Sequence, residues 1–363
     1  MAITVTDFQP IATVISAYAN ERWTKERTLS GTGLVTESAE IDTSGEGFAG
    51  QLRWSKPLNA VSNVPSLTSA AAGNYSSIST DIASYVKTVR TFGAQQVNLQ
   101  SLITKQDGLA KFATDLAQAR AYEEHNSILA VLKGIAASEV ATGAGIANFD
   151  TLASDTIGAF VDVNANGAFG AAATGTGDAR KLIDASEAGA ARGERLFRAM
   201  GMFWQDYEPD FAYLVVNPEI LAEIRAANLV DETTVTEGNL EFQTIFSGKF
   251  RLIRTRANQG NLSASANVND QSVKTTFVVK PGSIAFKALA IDTPTGIDRD
   301  EKAYGGGGST DIWHRIGYVV HPTGYDWKGA TNTFATDTAY GTAASWDRKV
   351  DALNLGVLPI LHA

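Results

Sequence analysis

With 363 residues, 44% of them hydrophobic and 19% charged, the chain has the composition of a folded globular protein, long enough for two packed domains or one discontinuous domain with an insertion. Its 30 basic and 39 acidic side chains leave a formal net charge of −9, which excludes a broad phosphate-gripping surface and confines any nucleic-acid contact to a local patch. The absence of cysteine removes disulfides, thiolate metal sites, iron–sulfur clusters and a Cys nucleophile, so stability is expected from packing or from other copies.

The opening residues, Met1 to Asp7, lack the basic and apolar regions of a signal peptide, and no stretch approaches the ~20 apolar residues of a membrane span. A chain that works in water, without a membrane partner, is expected. Phe8, Ile11, Val14, Ile15 and Tyr18 form an apolar helical patch, and the charged segment Asn20 to Arg27 beyond it reads as an arm. From Gly31 to Leu58, two short apolar stretches flank an acidic tip punctuated by Gly45, Gly47 and Gly50, which predicts a long hairpin. Its few apolar side chains, Ile41, Phe48, Leu52 and Trp54, cannot bury a face by themselves, so the hairpin needs something else to lie on.

A strand is predicted around Tyr85 to Arg90, followed by a spine helix over about 104–138. Thr104 and Asp107 have capping-box spacing, Leu109, Phe112 and Leu116 share a face, and no Pro interrupts the run, which would reach about 50 Å. Residues 140–178 read as turns and short pieces, and Asp178 to Phe203 as a second helix weakened by Gly189 and Gly193. Phe211 to Asn217 is a buried-strand run and Pro218 begins a helix carrying Ile220, Leu221 and Ile224. Phe250 to Thr255, Thr275 to Val279 and Ile284 to Leu289 read as half-exposed strands, and Asp311 to His321 alternates over a long stretch. Strands and helices mix without a βαβ rhythm, which predicts an α+β fold.

The chemical motifs are weak. Asp162 to Gly167 matches the opening of a calcium loop, but the position that should carry a bidentate Glu is Ala173, so a polar turn is the better reading. Gly305 to Gly308 lacks the Lys of a phosphate loop and reads as a connection between strands. His314 and His321 are an odd number of positions apart in one strand, hence on opposite faces and poorly placed to share a metal. His125 follows two Glu but lacks a second His, and no G-x-S-x-G elbow is present. No catalytic residue, cofactor site or metal ligand is predicted. A soluble subunit with an arm and a hairpin that need support has the features of an assembly protein.

The order of these segments resembles the major capsid proteins of tailed bacteriophages. The likeness is carried by the hairpin closing on Leu52-Arg-Trp54-Ser-Lys-Pro-Leu58, the helix ending Ala121-Tyr-Glu-Glu-His-Asn-Ser-Ile-Leu-Ala-Val-Leu-Lys-Gly134, and Phe211-Ala-Tyr-Leu-Val-Val-Asn-Pro218 followed by the segment 248–253. Phe277-Val-Val-Lys-Pro-Gly-Ser-Ile-Ala-Phe286 and Trp313-His-Arg-Ile-Gly-Tyr-Val-Val-His-Pro-Thr-Gly-Tyr-Asp-Trp327 complete it, the last being the most specific.

The resemblance implies a Hong Kong 97-type capsid fold. Its parts would be an N-terminal arm at 1–34, an extended loop hairpin at 35–58, a peripheral domain from 59–145 and 291–335 built on the spine helix, and an axial domain from 146–290 and 336–363. It further implies an icosahedral shell of hexamers and pentamers in a virion capsid, assembled in the host cytoplasm around double-stranded DNA held by non-specific contacts. A scaffolding protein and a portal would be partners, with a decoration protein as an optional one. Ile41, Phe48, Leu52 and Trp54 would then lie against a neighbouring subunit. Lys56 sits at the base of the hairpin, so a Lys–Asn cross-link has no support. No long charged scaffold-like segment precedes the arm, so a separate scaffold is expected, or a segment since removed. An encapsulin-like nanocompartment shell is the alternative.

Overall fold

The computed structural model describes residues 31–43, 47–55, 80–97, 108–142, 161–162, 209–237, 240–255, 274–350 and 355–362. Its elements in chain order are β1 (Val35–Glu37), β2 (Ala49–Ser55), β3 (Thr80–Val86), β4 (Thr88–Val97), α1 (Gly108–Thr142), β5 (Val161–Asp162), β6 (Ala212–Val216) and α2 (Pro218–Ala226). Then follow β7 (Val230–Glu237), β8 (Leu240–Ile245), β9 (Phe250–Arg254), β10 (Lys274–Val279), β11 (Ile284–Ala288), β12 (Thr295–Asp300), α3 (Ala303–Gly306) and β13 (Ser309–Pro322). The chain closes with β14 (Tyr325–Trp327), α4 (Asp337–Tyr340), a 3-10 turn (Ala343–Ser345), β15 (Trp346–Arg348) and β16 (Val357–His362). The fold is α+β and mostly sheet.

Two large sheets share α1. The first runs β1-β11-β13-β12, with β4 on the other side of β13; the second runs β5-β16-β10-β6-β9-β8-β7. The centre of the second sheet follows from its sequence. Every residue of β6 is buried, and the period of two sends Tyr213 and Val215 into the core shared with α1, and Ala212, Leu214 and Val216 into a smaller core under α2. Asn217 caps α2, its side chain accepting from the Ile220 amide at 2.8 Å, and Pro218 occupies the first turn where a missing N–H costs nothing. Residues 275–279 of β10 are all buried, not half-exposed as expected, because the strand lies between β16 and β6 with both faces covered.

α1 spans 35 residues, about 50 Å. It begins at Gly108 and runs on to Thr142, past the expected end; Thr104 and Asp107 lie outside the described residues. From Ala121 onward it is buried nearly all round, its Ile128, Leu129, Val131, Leu132, Ile135 and Ala136 joining residues of both sheets in one core. The remaining cover comes from the C-terminal segment. Trp327, Tyr340 and Trp346 form an aromatic nest with ring centroids 5.1 to 6.1 Å apart. Ser138 Oγ on α1 donates to the Trp346 carbonyl at 2.8 Å. Residues 336–348 pack on α1, where their aromatics supply the side of its core that the sheets leave open.

The expected hairpin over 35–58 does not form. β1 pairs in parallel with β11, Val35 opposite Ile284, whereas β2 pairs antiparallel with β3, Ala49 opposite Val86 through Ser55 opposite Thr80. Ile41 is correspondingly fully buried against Tyr85 and Val319 of its own chain, not available to a neighbour. The glycine run at 305–308 does connect strands: α3 is a tight turn between β12 and β13 in which Tyr304, Gly305, Gly306 and Gly308 all have positive φ, a conformation cheap only for glycine. The arm at 1–30, the segment Asp178 to Phe203 and the remainder of the calcium-like loop after Asp162 lie outside the described residues.

Two histidines of β13 make stability pH-dependent. His314 is pushed down to about 4 by burial and then by the nearby Arg120 charge. His321 is pushed down to about 4 by burial, against the opposing pull of Asp326 and the Tyr325 backbone. Both are neutral in the fold, whereas an unfolded His takes up its proton near 6.5. The unfolded chain therefore binds more protons between these values, so stability is full above about pH 6.5 and falls as pH drops towards 4. Urea midpoints should fall by the equivalent of about 2 kcal/mol per histidine from pH 7 to pH 5, and His321→Gln should flatten that slope; an unchanged slope would contradict the assignment.

Candidate functional site

Two features of the structure offer themselves as functional: a largely buried polar cluster and the two-stranded β2–β3 ribbon, whose outer part is exposed. In the cluster, Arg90 of β4 donates to Asp337 Oδ1 at 2.8 Å and the Ala335 carbonyl at 2.9 Å, and lies 3.6 Å from Glu123 of α1. Ser127 Oγ donates to Asp337 Oδ1 at 2.6 Å and stands 2.9 Å from the Tyr318 hydroxyl, while Thr88 Oγ1 and the Tyr340 hydroxyl are 2.7 Å apart. Burial raises the pKa of Glu123, and also those of Tyr318 and Tyr340.

A Ser with a carboxylate could suggest a nucleophile and base, but Ser127 has no exposed surface and a substrate could not reach it. The arrangement does a different job: it ties the segment 335–340 across α1 and β4 and satisfies groups that would otherwise be buried without partners. Among the described residues, no three His, Asp or Glu side chains lie close enough to hold a metal ion, and no helix is long and apolar enough to cross a membrane.

The ribbon is the stronger candidate. At its base, β3 is buried, with Ala83, Tyr85 and Val86 nearly inaccessible; Tyr85 donates its hydroxyl to the Asp42 carbonyl at 2.7 Å. The Lys87 amide bonds to Phe48 O at 2.7 Å and Ala335 N to Lys87 O at 3.1 Å, which stitches the base to the segment carrying Phe334. Farther out, Gln51, Arg53, Thr80 and Ile82 are exposed. The long chain segment between the ribbon's strands, 56–79, lies outside the described residues.

Of the four residues expected to contact a neighbour, Phe48 is 37% exposed and packs edge to face on Phe334, itself 43% exposed, at 4.8 Å. Leu52 is half-buried against the Ile41 cluster. Trp54 lies on β2, opposite Asp81 of β3. Sequence reading missed Phe334 and Ile82; no periodicity marks either, since Phe334 sits in a loop and Ile82 on an edge ribbon.

The ribbon is held by charge as well as by packing. Asp326 Oδ1 accepts the Ser84 amide at 2.7 Å, and its Oδ2 lies 2.9 Å from Lys328 and 3.7 Å from Lys349, both of which also approach Asp347. Burial acts to raise the Asp326 pKa and is outweighed by the Ser84 amide and the two lysines, so the carboxylate sits below its ordinary value. Asp326→Ala should leave the Ser84 amide unpaired, cost about 2 kcal/mol, and speed amide exchange across 80–86 more than in β6. Uniform exchange changes would mean that Asp326 does not anchor the ribbon.

No family model matches the chain, and no curated protein matches it. Among solved structures, a chain in the capsid of Ralstonia phage GP4 superposes with a TM-score of 0.51 at 12% identity, covering 93% of this chain and 89% of that one. The capsid structure of the cyanophage P-SCSP1u matches at TM-score 0.45 and 12% identity over 79% of this chain and 86% of that one. A structure titled Gordonia phage Cozz matches at TM-score 0.43 and 12% identity over 92% and 86%. Those two overlaps are looser, and the shared fold is read from the Ralstonia phage GP4 capsid, whose likeness runs through nearly the whole of both chains.

Proposed function

We propose that the chain is the major capsid protein of a tailed bacteriophage, a subunit that assembles into an icosahedral shell around the genome. The observation that carries this reading is the likeness to the Ralstonia phage GP4 capsid along almost the full length of both chains, which leaves little room for a separate catalytic module. In this reading the fold is of the Hong Kong 97 type, α1 is the spine helix, and the β2–β3 ribbon, not the segment 35–58, is the extended loop. The peripheral part comprises α1, the β13 sheet and 336–348; the axial part is the seven-stranded sheet with α2.

Function follows from contact, not chemistry: Ile82 of the ribbon and the exposed Phe48 and Phe334 at its base, together with Leu52 and Trp54, would be covered by neighbouring subunits in hexamers and pentamers. Repeated heterologous contacts whose rotation closes make a shell of them. Scaffolding protein and portal would direct that closure, and packaged DNA would be held by phosphate contacts that weaken with salt. The protein then resides in the virion and has no active site. Sedimentation of the purified chain, alone and with the scaffolding protein of its operon, tests the reading. Rapidly sedimenting particles are expected, and monomers or dimers under both conditions would count against it.

A further inference from the structure

β3 ends at Val86 and β4 begins at Thr88, yet the two strands belong to different sheets: β3 pairs with β2 in the ribbon, and β4 with β13 in the body. The chain changes sheets at a single residue, Lys87, so the direction of the ribbon is set by whatever holds that residue. Both of its backbone groups are held. Its amide donates to the Phe48 carbonyl at 2.7 Å, and its carbonyl accepts the Ala335 amide at 3.1 Å. Ala335 is fixed in turn from the body, its carbonyl accepting from Arg90 Nη1 at 2.9 Å. Next to it, Asp337 Oδ1 accepts from Arg90 Nη2 at 2.8 Å and from Ser127 Oγ at 2.6 Å. A continuous line of hydrogen bonds thus runs from the ribbon through Lys87, Ala335, Arg90 and Asp337 to α1.

Arg90 is the joint of that line, and two carboxylates compete for it. Asp337 meets its Nη2 at 2.8 Å, and Glu123 of α1 lies 3.6 Å from its Nε. Asp337 holds the guanidinium where it also reaches Ala335, whereas Glu123 draws it towards α1 and repels Asp337. The other polar groups of the cluster are neutral hydroxyls: Ser127 beside Tyr318 of β13 at 2.9 Å, and Tyr340 of α4 beside Thr88 at 2.7 Å. Arg120 of α1 is engaged by Glu124 at 3.2 Å. One arginine against two carboxylates leaves an excess negative charge that a single proton removes.

We infer that Glu123 is a proton-operated control on the hinge of the ribbon: when it is neutral, Arg90 belongs wholly to Asp337 and Ala335 and clamps Lys87; when it is ionised, Arg90 is shared and the clamp loosens. Burial, and then the Asp337 charge, hold the Glu123 proton more tightly than in an ordinary glutamate, with Arg90 opposing them. Such a group stabilises the fold most below the ordinary carboxylate pKa, and that contribution is lost as pH rises through its raised value. The base of the ribbon therefore tightens on acidification, opposite to the direction in which His314 and His321 act on the whole fold. The inference goes beyond the shell reading and does not depend on it.

Hydrogen exchange in the full-length chain tests it, with rates corrected for the chemical effect of pH and referred to β6, which reports the stability of the whole. From pH 7.5 to pH 5, peptides covering 84–90 and 333–338 should gain about threefold in protection relative to β6, the scale of a partly exposed ion pair. Glu123→Gln should show the tightened value at both pH values. Asp337→Asn, which removes the anchor of the clamp, should show the loose value at both. Equal relative protection of the wild type at the two pH values, or a pH response that survives in Glu123→Gln or in Asp337→Asn, would overturn the inference. The shell reading, judged by sedimentation, stands or falls separately.

Discussion

Gly134→Ala is expected to be among the most damaging single-methyl additions in the protein. In an exposed helix the change would gain up to about 1 kcal/mol from propensity. Here the added Cβ would collide with the Tyr340 carbonyl oxygen and stand 2.6 and 2.8 Å from Nε1 and Cδ1 of Trp346. Neither neighbour can yield cheaply. The Tyr340 carbonyl accepts the Trp346 indole N–H at 2.7 Å, and the Tyr340 ring is fixed by Thr88 on one side and Trp327 on the other. Relief requires α4 to lift from α1, opening the aromatic nest and loosening the Asp337 contacts with Arg90 and Ser127. A net loss of about 3 kcal/mol or more follows, read as a lowered urea midpoint with an unchanged slope. A midpoint at or above that of the wild type would show that the C-terminal segment does not sit on α1 as described.

Phe48→Asp is expected to have the largest effect on assembly with the least effect on the fold. Phe48 and Phe334 are each more than a third exposed, so a carboxylate at either position stays hydrated in the free subunit. Covered by a neighbour, the same carboxylate would be desolvated without a partner, which costs on the order of 3 kcal/mol, about a hundredfold in each repeated contact. The circular dichroism spectrum should be unchanged while the particle fraction in a sedimentation gradient collapses, and Phe334→Asp should do the same. Normal particle yield from both variants would place the aromatic pair outside any subunit contact.

The two classes of result draw on parts of the molecule that the sequence exposes to different degrees. The core of α1, the β6–α2 unit and the alternation of β13 were readable because local periodicity and a local cap decide them: Ile220, Leu221 and Ile224 follow Asn217 and Pro218 at spacings that a helix requires. The pairing of β1 and β2 was not readable. Their proximity in the chain and the glycines between them suggest a hairpin, yet β1 has only three residues and finds its partner at β11, far along the sequence. Strand pairing across such distances leaves no local periodicity. Ile41 was misplaced for the same reason: one apolar residue in an acidic stretch gives no sign that Tyr85 and Val319 enclose it. Of the residues proposed to meet a neighbour, Phe48 stands out in the sequence as an isolated aromatic beside glycines, whereas Phe334 becomes visible only when the backbone bonds through Lys87 bring the two segments together.

Electron cryo-microscopy of the purified chain, expressed with its scaffolding partner, tests the central claim most directly. The account predicts closed shells in which Phe48, Phe334 and the outer part of the β2–β3 ribbon of each subunit are covered by another copy. Particles absent from every preparation, with the chain recovered only as folded monomers, would contradict it.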